Sequence, residues 1–275
     1  MNTVNDNQDS KKNIRQFITN ILFAYFLIQI PISYFLSTNM ISESLYKSVA
    51  FIQLILPPLL IIYWGYSKGL VKEISKVLNF NWFWYDWLLL LIYSTSLFVL
   101  ANALSDGIFI LLPESAQIVI IEELLPASIK FAMLDSIADG WILLLGFGFL
   151  IPSAEELLFR GLGISLIKNS LGINRAVLFT AVYWAFLQMN PLDFLFNLIF
   201  GVVLAYLMIR STSLMLPVGI HSVFILLQIA YVNIVDKSDL MAYPDWKVVL
   251  ISLSISIGAL FLGTKLTDYY YLEAR

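Results

Sequence analysis

The sequence predicts an all-α bundle of about eight transmembrane helices with both termini in the cytoplasm. Hydrophobic residues make up 60% of the 275 residues, and the mean hydropathy is +0.83. Charged residues make up only 13%, whereas a soluble domain carries roughly 25%. The apolar residues also fall into runs that approach the ~20 residues needed to cross a bilayer. Composition therefore excludes a soluble globular domain and predicts a multi-pass membrane protein.

Eight stretches approach this length, and the short fifth and sixth are joined tightly through the turn-forming pair Asn190-Pro191. No internal repeat or linker divides the stretches, so we predict one bundle domain over residues 17–275, preceded by a cytoplasmic tail of residues 1–16. The predicted spans are Phe17–Leu36, Ser48–Tyr66, Asp86–Leu112, Trp141–Ile167, Ala176–Gln188, Leu192–Ile209, Leu214–Val235 and Val248–Gly263.

Two further segments are not predicted to span the membrane. Residues 68–84 mix lysines with tryptophans, which is typical of a segment lying along the cytoplasmic interface. Residues 113–138 contain apolar runs broken by acidic residues and a proline, and predict an outer-face loop or a re-entrant amphipathic piece.

The distribution of basic residues orients the predicted bundle. With an even number of spans, most lysines and arginines outside the spans fall on one side, and most acidic residues fall on the other. The positive-inside rule assigns the basic side to the cytoplasm. The basic residues on this side are Lys11, Lys12, Arg15, Lys68, Lys72, Lys76, Lys168, Arg175, Arg210 and Lys265.

Other features of the sequence narrow its function and location. The chain has no cysteine, which excludes disulfides, thiolate catalysis and cysteine metal sites. The net charge of −3 argues against a nucleic-acid partner. The expected partners are the lipid bilayer and a peptide or membrane protein, as partner or substrate. We find no cleaved signal peptide, and with the short loops this favours a cell membrane, specifically the bacterial cytoplasmic membrane.

A pair of glutamates, Glu155 and Glu156, lies inside the fourth predicted span. A charged carboxylate at membrane depth costs on the order of 2.5–3.5 kcal/mol on insertion scales, so it needs a partner or a function. Glu156 and Arg160 are four residues apart and share a helix face, whereas successive residues point about 100° apart. The pattern predicts a Glu156–Arg160 pair and leaves Glu155 on another face as a general base. The alternative is a plain ion pair at a helix terminus, near the lipid headgroups.

The only histidine of the chain, His221, lies inside the seventh predicted span. A lone buried histidine is more often a hydrogen-bonded core residue than a catalyst, and this alternative stays open. The predicted depth of His221, about three turns from the cytoplasmic end, is similar to that of Glu155. We therefore expect His221 and the glutamates to form one polar centre. Polar side chains at comparable positions that would hydrogen-bond between helices are Gln188, Asn190, Asn197 and Gln228.

These residues resemble the motifs of a known family. The run from Glu155 to Gly161, E-E-L-L-F-R-G, resembles E-E-x-x-x-R, the first motif of the CPBP intramembrane proteases (CAAX-prenyl-protease and bacteriocin-processing, or Abi-type). Residues 183–191 are similar to the segment of the second motif, F-x-x-x-H, and residues 204–221 to the stretch that leads to the third, H-x-x-x-N. We place the CPBP-like core at about residues 141–235. The resemblance implies an all-α bundle, commonly of eight spans.

The resemblance also implies a role for each matched residue. In such proteases the first glutamate activates a water that attacks a peptide carbonyl. The second-motif histidine assists it or binds a metal, and the third-motif residues stabilise the oxyanion or contribute to the metal site. Zinc is the cofactor this implies, with Glu155 and His221 as its ligands. The residues expected to be catalytic are Glu155, Glu156 and His221, with Arg160, Gln188 and Asn190 in supporting roles.

The chain departs from the family pattern in two motifs. In the second, Trp184 stands in place of the phenylalanine and Gln188 in place of the histidine, and in the third Ile225 replaces the asparagine. Glutamine is a poor proton acceptor and a poor zinc ligand compared with imidazole. Isoleucine offers no donor to a developing oxyanion. These departures predict reduced or lost activity.

Three functions are compatible with this reading. The first is a hydrolase, an intramembrane metalloprotease-like endopeptidase that processes peptide or protein tails at the membrane. The second is a pseudoenzyme, a non-catalytic scaffold, regulator or bacteriocin-immunity protein that binds a membrane partner. The third and weaker alternative is a transporter or ion relay through the buried acids and the histidine. The sequence has no paired inverted repeats, which disfavours this last reading.

Overall fold

The computed structural model describes residues 43–69, 83–120, 140–188, 193–235 and 244–273, together with residues 16, 17, 19, 20, 24, 27 and 28. The regular secondary structure of these residues is helical, which confirms the predicted all-α class. Within the described ranges, six helices are long and apolar enough to cross a membrane, and a shorter apolar helix accompanies them.

The helices follow one another along the chain as listed here. Helix α1 spans Glu43–Ser67, α2 spans Trp84–Leu111 and α3 spans Glu114–Val119. Helix α4 is a continuous run of Ile142–Leu150, Ile151–Glu156, Leu157–Gly163 and Ile164–Leu171, of which the first and third segments are π-helical. Helix α5 spans Ile173–Leu187, α6 spans Phe194–Ser211, α7 spans Met215–Ile234 and α8 spans Trp246–Asp268, followed by the π-helical turn Tyr269–Glu273.

Every predicted span from the second to the eighth has a helix in the structure. The bounds differ most at two ends: α1 begins at Glu43 rather than at the predicted Ser48, and α8 continues to Asp268 beyond the predicted Gly263. The first predicted span is described only at single residues, of which Phe17 and Ala24 are buried. Residues 1–15, 70–82, 121–139 and 189–192 lie outside the described residues, as do most of residues 18–42.

Helices α2 and α8 pack against each other, and a group of polar contacts joins them at one end. The hydroxyl of Tyr93 lies 3.1 Å from that of Thr267, and the hydroxyl of Tyr271 donates to Asp86. At the same end of the bundle Asp268 accepts from the hydroxyl of Tyr206 at 2.9 Å and pairs with Arg210 at 3.4 Å. We call these the α2–α8 contacts.

The α2–α8 contacts also establish which helix ends lie together. The start of α2 and the ends of α6 and α8 meet at one end of the bundle. The opposite end holds Ser105, late in α2, whose hydroxyl donates to Asp193 at the start of α6 at 3.4 Å. This alternation matches the order of spans predicted from the sequence. The assignment of the first end to the cytoplasm stays a prediction from the charges.

Helix α4 lies inside the bundle, where it packs against α1, α5 and α7. The apolar residues of α4 join the largest hydrophobic cluster of the described chain through Leu158, Phe159 and Leu162. The chain then reverses at Gly172, whose φ of +80° favours glycine over residues with a side chain. The reversal lays α5 along α4, so that the end of α5 lies beside the middle of α4.

Candidate active site

The two adjacent glutamates of α4 point at different helices, as their angular separation predicts. Glu155 contacts Trp184 and Gln188 on α5, whereas Glu156 contacts Arg160 on its own helix and His221 on α7. Both glutamates lie in the interior of α4, and only 5% of Glu155 and 0% of Glu156 is exposed. The alternative of an ion pair at a helix terminus is therefore wrong. We call these six side chains the polar centre.

Glu156 organises the charged half of the polar centre. Arg160 Nη1 donates to Glu156 Oε1 at 3.0 Å, which confirms the pair predicted from the sequence spacing. His221 Nδ1 lies 2.9 Å from the same oxygen. When Nδ1 carries the hydrogen that is donated to Glu156, Nε2 of the neutral ring keeps its lone pair. Glu156 therefore orients His221 and selects its tautomer.

Arg160 is held by α6 as well as by Glu156. Its Nη2 donates to the backbone oxygen of Gly201 at 3.3 Å. A Cβ atom at Gly201 would lie 3.0 Å from Ala181 and 3.3 Å from Arg160 Nη2, so the close approach of α5, α6 and the guanidinium favours glycine here. Arg160 also lies in the π-helical segment Leu157–Gly163, and π-helical turns inside α-helices are frequent at functional sites.

Glu155 forms the second half of the polar centre, and its donors are uncharged. Trp184 Nε1 donates to Glu155 Oε2 at 2.8 Å. Gln188 Nε2 lies 3.4 Å from Oε1 and 3.5 Å from Oε2 of the same carboxylate. Trp184 and Gln188 are four residues apart and so share a face of α5. Glu155 is thus positioned by side-chain N–H groups, while the guanidinium is committed to Glu156.

Trp184 joins the two halves of the polar centre. Its ring stacks on Phe200 with centroids 5.5 Å apart and meets the ring of His221 edge-on at 5.7 Å. The guanidinium carbon of Arg160 lies 5.1 Å from the centroid of the same indole ring, within the range of a cation–π contact. Trp184 is 3% exposed, so its position is set by packing on all sides.

The donor set of the polar centre does not fit a resident zinc ion. Among the described residues, no three His, Cys, Asp or Glu side chains come together in an arrangement that could hold a metal ion. Glu156 Oε1 is shared by Arg160 and His221, and Glu155 is engaged by two N–H donors. Structural and catalytic zinc sites need at least three protein ligands. We therefore assign no step of the chemistry to a metal.

The structure brings five of the six predicted site residues into one cluster. Glu156 contacts Arg160 and His221, Glu155 contacts Gln188, and Trp184 joins the two sets, whereas Asn190 lies outside the described residues.

The predicted set of site residues omits Trp184, because an indole within an apolar helix is typical of a core residue. One sequence signal could have identified Trp184: it stands where the resemblance implies a phenylalanine, and this change adds an N–H donor. Ile225, one helical turn after His221, packs against the main hydrophobic cluster and supplies no polar group.

One comparison with known proteins supports the resemblance. Residues 137–227 match the family model of the type II CAAX prenyl endopeptidases, described as Rce1-like. The match confirms the resemblance to the CPBP proteases and includes every described residue of the polar centre and Ile225. Comparisons with curated proteins and with solved structures gave no match. The protein is therefore a multi-pass membrane protein whose central region is similar to these endopeptidases.

Proposed function

We propose that the protein is an intramembrane endopeptidase that cuts a peptide or membrane-protein tail, with Glu155 as its general base. The observation that carries the proposal is that two neighbouring carboxylates have different hydrogen-bond partners. Arg160 neutralises Glu156, whereas Glu155 is held in place by the uncharged donors Trp184 and Gln188. A carboxylate that is held in place and is not paired with a cation is suited to accept a proton from water.

The proposed reaction needs only water and the residues of the polar centre. Glu155 takes a proton from a water molecule, whose oxygen attacks the carbonyl carbon of the scissile peptide bond. His221, oriented by Glu156, stabilises the negative charge that develops on the carbonyl oxygen in the form that carries a hydrogen on both ring nitrogens, with Nδ1–H donated to Glu156 and Nε2–H to the oxyanion. The tetrahedral intermediate then breaks its carbon–nitrogen bond, and Glu155 returns the proton to the leaving amine. The products are a carboxylate and an amine.

The proposed activity is slow compared with a protease that carries the full set of family motifs. Gln188 replaces a histidine, and Ile225 offers no hydrogen to the oxyanion. Loss of one oxyanion donor typically lowers the rate by ~10²–10³. The matched family suggests a prenylated CAAX tail as the substrate class. A leader peptide is the second substrate class that we consider. We place the reaction in a bacterial cytoplasmic membrane.

A second candidate function is a non-catalytic membrane scaffold, regulator or bacteriocin-immunity protein. The observation that favours it is the contact between Gln188 and Glu155. The side-chain amide of Gln188 lies against this carboxylate at the position where the resemblance implies a histidine. Under this reading the bundle binds a membrane protein or peptide and releases no product.

The two functions are separated by replacing Glu155 with its uncharged analogue. Wild type and Glu155→Gln are reconstituted in liposomes with a fluorescence-quenched peptide that ends in a prenylated CAAX tail, and in parallel with its unprenylated counterpart. The matched control is Glu114→Gln, which removes an exposed acid of α3. The endopeptidase reading predicts cleavage by wild type and the control and a loss of about 10²–10⁴ in rate for Glu155→Gln. Equal rates for all three proteins would contradict it.

A further inference from the structure

We propose that Trp184 is a positioning residue whose indole N–H holds one edge of the Glu155 carboxylate, so that the opposite oxygen, Oε1, receives the water. The inference rests on the proposed function, which makes Glu155 the base. It assigns a role to a side chain that the motif pattern would treat as an apolar packing residue. It also assigns different tasks to the two oxygens of one carboxylate.

The distances distinguish the two carboxylate oxygens. Trp184 Nε1 lies 2.8 Å from Oε2, a full-strength hydrogen bond to a charged acceptor. Gln188 Nε2 lies at 3.4 Å from Oε1 and 3.5 Å from Oε2, at the long end of the hydrogen-bond range for both. Within the described residues Oε2 is therefore firmly occupied, and Oε1 has only the long contact with the amide. A water that binds Glu155 has its best acceptor in Oε1.

Packing fixes the indole that makes this bond. The ring is held between Phe200, Arg160 and His221 at centroid distances of 5.5, 5.1 and 5.7 Å. Tryptophan differs from phenylalanine in its larger, bicyclic ring and in its N–H, and a buried N–H without an acceptor is destabilising. The residue type is therefore explained by the bond to Glu155.

The two departures from the second motif act on the same carboxylate. Trp184 stands where the resemblance implies phenylalanine and Gln188 where it implies histidine, and both donate to Glu155. We infer that the pair replaces the support that a histidine would give. We therefore expect that a variant lacking one of these two donors depends more strongly for its activity on the other donor.

The hydrogen bond is tested by NMR of the tryptophan side chains in the full-length protein in detergent. The protein is labelled with indole-¹⁵N tryptophan, and the signal of Trp184 is assigned by its loss in Trp184→Phe. If that variant does not fold, the other tryptophans are replaced one at a time until the signal is identified. A charge-assisted bond predicts a downfield N–H signal that moves upfield in Glu155→Gln and stays in place in Glu114→Gln. No difference between the two variants would overturn the proposal.

Kinetics separate positioning from packing. Trp184→Phe should lower kcat by about tenfold or more and leave KM within about twofold, because one hydrogen bond to the base is lost. Trp246→Phe, at the exposed start of α8, should change neither value. An unchanged kcat in Trp184→Phe would overturn the positioning role. Absence of hydrolysis in wild type would instead contradict the proposed function, and the NMR comparison would still decide whether Trp184 holds Glu155.

Discussion

The α2–α8 contacts and the polar centre are two groups of polar side chains in the described part of this bundle, and they are built differently. In the α2–α8 contacts the acidic residues lie near helix ends, where they accept from tyrosine hydroxyl groups, and the one ion pair of the group, Arg210–Asp268, is partly exposed. In the polar centre two buried carboxylates lie side by side in the middle of α4, and only Glu156 is paired with the guanidinium of Arg160. Glu156 Oε2 and Arg160 Nε have no hydrogen-bond partner among the described residues.

Under the proposed function, the difference separates polar residues that join helices from polar residues that serve a reaction. Hydroxyl pairs between helices contribute modestly to stability and carry no net charge. A buried ion pair often stabilises a protein less than well-packed apolar side chains would. A second carboxylate beside such a pair adds a further cost and contributes nothing to packing. Assembly of the bundle therefore does not explain the composition of the polar centre, whereas the proposed function does.

The largest effect on stability is expected from Arg160→Met. The change leaves Glu156 buried without its cation, and breaking a buried pair typically costs about 3–5 kcal/mol. The matched control is Arg210→Met, whose pair with Asp268 is 36% and 41% exposed. An exposed pair is worth about 0–1 kcal/mol. The free energy of unfolding of both variants is measured by SDS titration in mixed micelles. Equal losses for Arg160→Met and Arg210→Met would mean that the buried pair is no more important for stability than the exposed pair.

A gain of activity is expected from restoring the family residues. Gln188→His supplies an imidazole beside Glu155, and Ile225→Asn supplies a donor one turn from His221. One restored oxyanion donor is worth up to about 10²–10³ in rate. The double variant should therefore cleave the prenylated peptide faster than wild type, while Asn at position 225 lowers the melting temperature because Ile225 packs in the core. A double variant that folds and shows no gain would favour the scaffold function.

A much smaller effect is expected from Tyr93→Phe in the α2–α8 contacts. The change removes the hydroxyl that lies 3.1 Å from Thr267, whereas Thr267 keeps its bond to the backbone oxygen of Gly263. Interhelical hydrogen bonds of this kind average about 0.6 kcal/mol in membranes. We expect a loss of that order in the free energy of unfolding and no change in hydrolysis. A large fall in activity with an unchanged melting temperature would place this group in the active site.

No effect is expected from removing metal. Elemental analysis of the protein purified in mild detergent should find zinc well below one ion per chain, in wild type and in His221→Ala alike. Chelators should leave hydrolysis by wild type unchanged. Stoichiometric zinc that disappears in His221→Ala would contradict this prediction and would mean that residues outside the described ranges complete a metal site.

Much of the fold could be predicted from the sequence, because length and hydropathy determine which segments cross a membrane. The bounds of the last span were predicted less well. Lys265 and Asp268 interrupt its apolar pattern, yet Asp268 is accommodated in α8 by Tyr206 and Arg210. Contacts of this kind join residues far apart in the chain, so the sequence pattern of one span does not contain them.

The polar centre could be predicted where its contacts follow from helix geometry. The spacing of Glu156 and Arg160 predicts their pair, and the angle between adjacent residues predicts the divergence of Glu155. The bond from Trp184 to Glu155 could not be predicted in this way, because it depends on how α5 packs against α4. The sharing of one Glu156 oxygen by Arg160 and His221 depends in the same way on the approach of α7.

The most direct test of the account compares Glu155→Gln with Tyr93→Phe, each measured for hydrolysis in liposomes and for thermal unfolding in detergent. We expect the two variants to show opposite effects. Glu155→Gln loses hydrolysis and keeps the melting temperature of wild type, whereas Tyr93→Phe keeps hydrolysis and melts slightly lower. Hydrolysis by Glu155→Gln at the wild-type rate would contradict the central claim that this carboxylate is the base.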